Sequence, residues 1–180
     1  MDTPIANILN AGLFSYFGQA DYDYDTRYGF TGTLRRDASF RFSDSNKWAT
    51  FYSVAGRWNI HNEGFMEDSV FDQLKLRASY GTAGNDRILG GVYAGADLTQ
   101  NFFATGPGYS ALNSIFLSQI ANTTRRWETV AQFDVGIDFE IFDRRLRGSV
   151  DYYDKQTSDL FQSRPISAIN GVTSLNANVG

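Results

Sequence analysis

The 180-residue chain contains no cysteine, which excludes disulfides, thiolate metal sites and cysteine nucleophiles. It has one histidine, His61, so a serine triad or a histidine-rich zinc site would lack its parts; a solvated place in a turn is expected for it. No run of about 18 consecutive apolar residues occurs, which excludes a transmembrane helix. A transmembrane β-barrel is not excluded, because alternating strands escape hydropathy averaging. Basic residues do not predominate: 16 Lys and Arg stand against 20 Asp and Glu, so the basic patch expected of a nucleic-acid binder is missing. The start, Met1-Asp2-Thr3-Pro4-Ile5-Ala6-Asn7, lacks the charged-then-apolar layout of a secretory signal. Proline is scarce as well. Three prolines beside seventeen glycines, fifteen Phe, ten Tyr and three Trp favour an all-β chain.

What the chain does have is alternation. From Ala131 to Ile141, odd positions carry Ala131, Phe133, Val135, Ile137, Phe139 and Ile141, and even positions carry Gln132, Asp134, Gly136, Asp138 and Glu140. Successive side chains of a strand point to opposite faces, so one face is apolar and the other acidic. After a short turn, Leu146, Gly148, Val150 and Tyr152 alternate with Arg147, Ser149, Asp151 and Tyr153. A tilted strand needs about 9 to 11 residues to cross a bilayer, with apolar side chains outward and polar ones inward.

Four further segments carry the same pattern, at about 15–24, 28–36, 48–60 and 73–80. Together they predict an antiparallel meander of about six long strands. The connections 25–27 and 143–145 are short enough for hairpin turns. Segment 37–47 is intermediate and polar, and 81–126 is long and irregular. Short turns on one side and long loops on the other are the arrangement of an outer-membrane barrel; only 61–71 is longer than expected on the short-turn side. On the apolar parity, Tyr22, Tyr24, Tyr28, Trp58 and Phe139 fall near the short-turn ends. Tyr16, Trp48, Tyr80, Trp127 and Tyr152 fall near the other ends, as two aromatic girdles would require.

Chemical motifs are weak by comparison. Asp138 and Glu140 could make a carboxylate pair for glycoside hydrolysis, yet any polar barrel lumen shows such a series. Asp21-Tyr22-Asp23-Tyr24-Asp25 lacks the Gly and distant Glu of a calcium loop. The glycines from Gly84 to Gly91 lack the Gly-Lys-Ser/Thr ending of a phosphate loop. No catalytic residue, metal ligand or cofactor is predicted.

Several stretches resemble one family. Tyr28-Gly-Phe-Thr-Gly-Thr-Leu-Arg-Arg-Asp37, followed by Ser39-Phe-Arg-Phe42 and Trp48-Ala-Thr-Phe51, resembles the LRRDGSSRF…W…F stretch of SusC/RagA-type TonB-dependent outer-membrane transporters, with Ala38 where the family favours Gly. Leu74-Lys-Leu-Arg-Ala-Ser-Tyr-Gly-Thr-Ala-Gly-Asn85 is similar to its LKLRASYGxTGN strand, and Trp127-Glu128 to its WE at a strand start. The segment 139–160 resembles the hairpin FFNNRLxGSxDYYxKxTSDL, and Asn178-Val-Gly180 the NVG that precedes further strands.

The resemblance implies that residues 1–180 are part of the barrel domain of such a transporter, with plug, signal and final strands not included. Closed barrels of this size have about 22 strands, and an open edge in lipid would leave backbone groups unpaired. It further implies no enzyme activity, residence in the bacterial outer membrane among its lipids, a SusD-like surface lipoprotein partner, the TonB complex as energy source, and a glycan or peptide substrate. Lumen-lining candidates are Arg35, Arg57, Lys75, Arg77, Gln132, Asp134, Asp138, Glu140, Arg147, Asp151 and Lys155; solvation and cross-strand charge pairing would explain most of them equally well. Two other readings stay open: a soluble β-sandwich that binds carbohydrate, and a siderophore-type receptor.

Overall fold

A computed structural model describes residues 12–86 and 99–180. The sequence start at 1–7 and the glycines at 90–91 lie outside them. Among the described residues ten strands form in chain order: β1 (Leu13–Tyr24), β2 (Tyr28–Ser39), β3 (Trp48–Asn59), β4 (Phe71–Asn85), β5 (Phe102–Pro107), β6 (Asn113–Gln119), β7 (Glu128–Ile141), β8 (Leu146–Ser158), β9 (Leu160–Pro165) and β10 (Ser174–Val179). The six long ones make a single antiparallel sheet in the order β1-β2-β3-β4-β7-β8, while β5-β6 and β9-β10 are separate hairpins. The sheet strands run 12 to 15 residues, more than twice the usual strand length.

Two tight turns sit at one end of this sheet, called here the turn end. Asp25 and Thr26 have φ of 49° and 56°, and Arg27 N donates to Tyr24 O at 3.0 Å. Paired left-handed residues give the primed turn whose twist matches the flanking strands. Phe142, Asp143 and Arg144 all have positive φ, and Arg144 N is held by Asp72 Oδ2 at 2.9 Å. The longer connection between β3 and β4 closes the same end with two short 3₁₀ turns. There Glu63 accepts from Tyr28 OH at 2.7 Å, Trp58 Nε1 at 3.0 Å and Arg27 Nη1 at 3.4 Å. The Tyr28 and Trp58 rings stack at 6.3 Å. His61 does lie in a turn but is half-buried rather than solvated, its Nδ1 donating to Leu74 O at 3.1 Å.

Among the described residues nothing covers the apolar face of the sheet. Leu34 is 58% and Val150 68% exposed, and Tyr22, Phe30, Phe133, Ile137 and Tyr152 are exposed too. In water such a contiguous apolar surface is untenable for a monomeric domain. Aromatic residues mark both ends of it. Opposite the Tyr28 and Trp58 pair, Tyr16 stacks on Trp48 at 6.0 Å, Phe14 meets Tyr16 edge-on at 4.7 Å, and the Arg36 guanidinium lies 5.2 Å above the Trp48 ring.

A small true core forms where β3 meets the connecting segments, at the end of the sheet away from the tight turns, here the loop end. Phe42, Phe51 and Trp127 are its buried hydrophobics, with Ala49 against them. Phe42 and Trp127 stack at 5.2 Å, Phe51 meets Trp127 edge-on at 5.6 Å, and Trp127 Nε1 donates to Lys47 O at 3.2 Å. Arg41 pairs with Asp86 at 2.6 Å, and Asp86 also accepts from the fully buried Ser39 hydroxyl at 2.8 Å. Arg125, 1% exposed, lies between the Phe42 and Phe161 rings at 5.0 Å from each. Burial pulls its guanidinium down to about 10, with Arg41 adding to the effect and Asp86 opposing it. Asn122 and Asn178 tie the β9-β10 hairpin to the same region, through Asn176 O and Arg126 O.

Three sequence expectations are corrected here. Trp127 is not a girdle residue: it precedes β7 and turns into the loop-end core, where its ring and N–H both find partners. Tyr80 and Tyr152 do not cap their strands, because β4 continues to Asn85 and β8 to Ser158; Tyr80 instead lies 6.1 Å from Tyr52. Segment 81–126 is not irregular throughout, since it completes β4 and contains the β5-β6 hairpin.

Candidate functional site on the polar face of the sheet

Strand parity and register together place all eleven sequence candidates on one face, opposite to the aromatic one. The deciding row runs across all six strands: Asp23 pairs with Gly29, Gly29 with Arg57, Arg57 with Arg77, Arg77 with Gly136, and Gly136 with Asp151. The row reads Asp-Gly-Arg, Arg-Gly-Asp from edge to edge. Each arginine lies flat over the neighbouring glycine and reaches the aspartate beyond it. Arg57 Nη2 pairs with Asp23, and Arg77 Nη2 with Asp151 at 2.9 Å. The glycines make this possible: a Cβ at Gly29 would fall 2.5 Å from Arg57 Nε, and one at Gly136 would overlap the Asp151 carboxylate. Two like charges opposite one another disfavour the sheet, and the flanking carboxylates offset that.

Asp138 is the second anchor. It takes Arg77 in a two-pronged grip, Nε and Nη2 each at 2.8 Å, and Lys75 at 3.6 Å. Fork-to-carboxylate pairing of this kind fixes direction as well as charge. Toward the turn end, Glu140 lies 3.8 Å from Arg147 and 3.6 Å from Arg144. Toward the loop end, Gln132 donates to both Asp134 oxygens at 3.0 Å, Lys155 stands opposite Gln132 in the β7-β8 ladder, and Arg35 grips Asp37 at 2.7 Å. The structure thus gathers Arg57, Lys75, Arg77, Asp134, Asp138 and Asp151 into one neighbourhood and leaves Arg35, Gln132, Glu140, Arg147 and Lys155 around it.

A depression of about 510 Å³ opens over this neighbourhood, lined by Asp21, Asp23, Thr31, Arg57, Lys75 and Arg77 among others. Asp21 holds the Thr31 hydroxyl at 2.7 Å and Gln19 at 2.8 Å. Asp21, Asp23 and Asp37 were not among the sequence candidates. Their parity is visible in the alternation of β1 and β2; the roles of Asp21 and Asp23 need the inter-strand register, whereas Asp37 meets Arg35 two residues away on the same strand. Asp138 and Glu140 are each engaged by cations, as a structural charge ladder would have them.

Compared with known families, residues 4–180 match the TonB dependent receptor-like, beta-barrel family. The chain belongs to that family. It is 39% identical over 178 residues to TonB-dependent receptor P3 of Formosa agariphila, covering 98% of this chain and 18% of that receptor. It is 37% identical over 154 residues to TonB-dependent receptor SusC of Bacteroides thetaiotaomicron, covering 84% of this chain and 15% of SusC. Among solved structures, the RagAB peptide importer in its open-open state superposes with a TM-score of 0.80 at 31% identity, over 93% of this chain and 18% of that one; the closed-closed state gives 0.79. The chain therefore spans less than a fifth of the length of these relatives. As a TonB-dependent receptor sequence it is an outer-membrane β-barrel protein, and the open six-stranded sheet is a stretch of the barrel wall. The soluble β-sandwich reading is set aside, for no second sheet covers the apolar face among the described residues.

Proposed function

We propose that this TonB-dependent receptor segment is part of the wall of a SusC-like active transporter that imports oligosaccharide or peptide fragments. In this reading the charged face lines the lumen and the aromatic face meets lipid. The loop end stands outside the cell, where a SusD-like lipoprotein docks, and the turn end faces the periplasm. Residues 1–180 are then a partial barrel domain, with the plug and remaining strands supplied by the rest of the receptor, and the TonB complex drives uptake without any chemistry on the substrate.

One observation carries the reading: strands of 12 to 15 residues separate charge and aromatic surface onto opposite, uncovered faces. Lipid satisfies the one face and a water-filled lumen the other. The test is uptake of fluorescent oligosaccharide and fluorescent peptide by cells with and without the receptor gene, in the presence and absence of a protonophore. Receptor-dependent uptake of either probe that the protonophore abolishes is expected. Uptake of ferric chelates alone, or uptake unaffected by the protonophore, overturns the proposal.

A further inference from the structure

We infer that Arg36, with Tyr16 and Trp48, forms a site on the outer wall of the barrel for the phosphorylated headgroup of an outer-leaflet glycolipid. This rests on the proposed orientation, aromatic face to lipid and loop end outward, and adds to it one class of lipid and one place on the wall. The first support is a cation on the apolar side. β2 sets Tyr28, Phe30, Gly32, Leu34, Arg36 and Ala38 there. Carried through the ladders, that parity makes Arg36 the only cation that the six sheet strands place on this face. Its exposed guanidinium lies 5.2 Å from the Trp48 ring centroid and has no hydrogen bond or ion pair among the described residues. Asp37, next in the chain, points to the other face and is held by Arg35 at 2.7 Å. Asp154, which β8 sets on the same side as Arg36, lies four strands away. Both ladder neighbours of β2 are present, and the guanidinium leans over β3, away from the open edge at β1. A guanidinium facing lipid is costly without an anion, and a headgroup phosphate supplies one that its fork can hold by two parallel bonds.

The second support is depth. From Tyr28 in the turn-end girdle to Arg36, β2 advances roughly 27 Å at a rise of about 3.4 Å per residue. A tilt of about 40° turns this into roughly 20 Å of height, close to the limit of an apolar band about 25 Å tall. Headgroup phosphates lie at that limit. Tyr16 stands opposite Arg36 in one ladder and Thr50 in the other, and Tyr16 stacks on Trp48 at 6.0 Å. Tyr and Trp rings at this height present an apolar body and a polar tip to the headgroup layer. The third support is relief. The next two rows toward the membrane centre are Gly18-Leu34-Tyr52 and Ala20-Gly32-Val54, which line a shallow depression. A Cβ at Gly18 would meet nothing within 4 Å. Small side chains below a cation leave a track for an acyl chain whose phosphate is fixed above it. A free phosphate would leave that track unfilled.

The test uses the complete receptor in detergent and three probes: diphosphoryl lipid A, the same lipid with both phosphates removed, and inorganic phosphate. Binding is read by native mass spectrometry as the fraction of receptor that retains lipid across a titration. The phosphorylated lipid is expected to bind at least about tenfold more tightly than the dephosphorylated one, and inorganic phosphate in large excess should not displace it. Arg36→Gln should remove about tenfold of that preference, the effect of one lost charge-assisted hydrogen bond. Arg36→Lys, which keeps the charge without the fork, should retain part of it. Gly18→Leu, which fills the track, should weaken both lipids and leave their ratio unchanged; heat-modifiable migration on gels checks that every variant is folded. Equal binding of the two lipids, displacement by inorganic phosphate, or a folded Arg36→Gln variant that keeps the full preference overturns the site. The transporter reading survives that result while the parent receptor still passes the uptake test, and if uptake fails as well, both fall together.

Discussion

Trp127→Ala probes the loop-end core most directly. The indole is 8% exposed, stacks on Phe42 at 5.2 Å, meets Phe51 edge-on at 5.6 Å, and gives its only N–H to the Lys47 carbonyl at 3.2 Å. Removing a buried Trp costs about 3 to 5 kcal/mol, and the Lys47 carbonyl keeps its bond from Ser39 N. The loss is local, because the six-stranded ladder does not depend on this ring; about 4 kcal/mol corresponds to an opening roughly 10³-fold more frequent. Hydrogen exchange of the receptor in detergent reads it at Ser39, whose amide is bonded to Lys47 O, and at Asn46, bonded to Ser43 O. Those amides should exchange about 10²- to 10³-fold faster, with Asn59 and Glu63 at the turn end unchanged. Trp127→Phe keeps a ring but abandons Lys47 O, and should accelerate exchange only about five- to tenfold. If Trp127→Ala alters loop-end exchange less than about threefold, or speeds the turn end equally, this core does not hold the loops as described.

Three other expectations follow from the same geometry. Val150→Arg places a cation on the aromatic face and should destabilise the folded receptor by about 2 to 4 kcal/mol in urea titrations in lipid vesicles, whereas Asp151→Asn on the opposite face should cost about 1 kcal/mol; equal costs would refute the assignment of faces. A Cβ at Gly84 would overlap the packed Phe51 ring, while one at Gly136 meets only the movable ends of Asp151 and Arg77, so Gly84→Ala should lower the thermal midpoint clearly more than Gly136→Ala. The bonds from Tyr28 and Trp58, with Arg27 nearby, hold the Glu63 carboxyl below the usual glutamate range. Its contribution is present above the unfolded-state value and disappears as pH falls through the lower, folded-state one; Trp58 fluorescence should therefore change in that acidic window in the parent and stay flat in Glu63→Gln.

All six sheet strands were legible in the sequence, because one apolar and one charged face impose the strict period of two that a strand can carry. The positions of the short turns followed from the interruptions of that period. The rim was harder to read. Phe102–Pro107 and Asn113–Gln119 have no solvent boundary to enforce alternation, and the 159 position breaks the β8 pattern with a left-handed Asp159, hiding β9. Trp127 sat on the apolar parity of β7, and nothing local signals that the chain bends there toward Lys47, 80 residues earlier. In the polar site, parity identified the candidates one strand at a time. That Arg57 and Arg77 are neighbours, each with a glycine beneath it, requires the register of every strand at once.

The loop-end core joins positions far apart along the polypeptide: Lys47 and Trp127 are separated by 80 residues, as are Ser43 and Thr123. Closing so large a span is entropically unfavourable until the intervening ladders have zipped from their hairpins. Each ladder from β2 to β7 must also be zipped correctly. A slip of two residues in any of them would keep greasy side chains on the greasy side yet carry Trp127 about 7 Å from its seat. The core therefore acts as a gauge of strand alignment, seating Trp127 only in the register that the alternation of the two faces does not by itself single out.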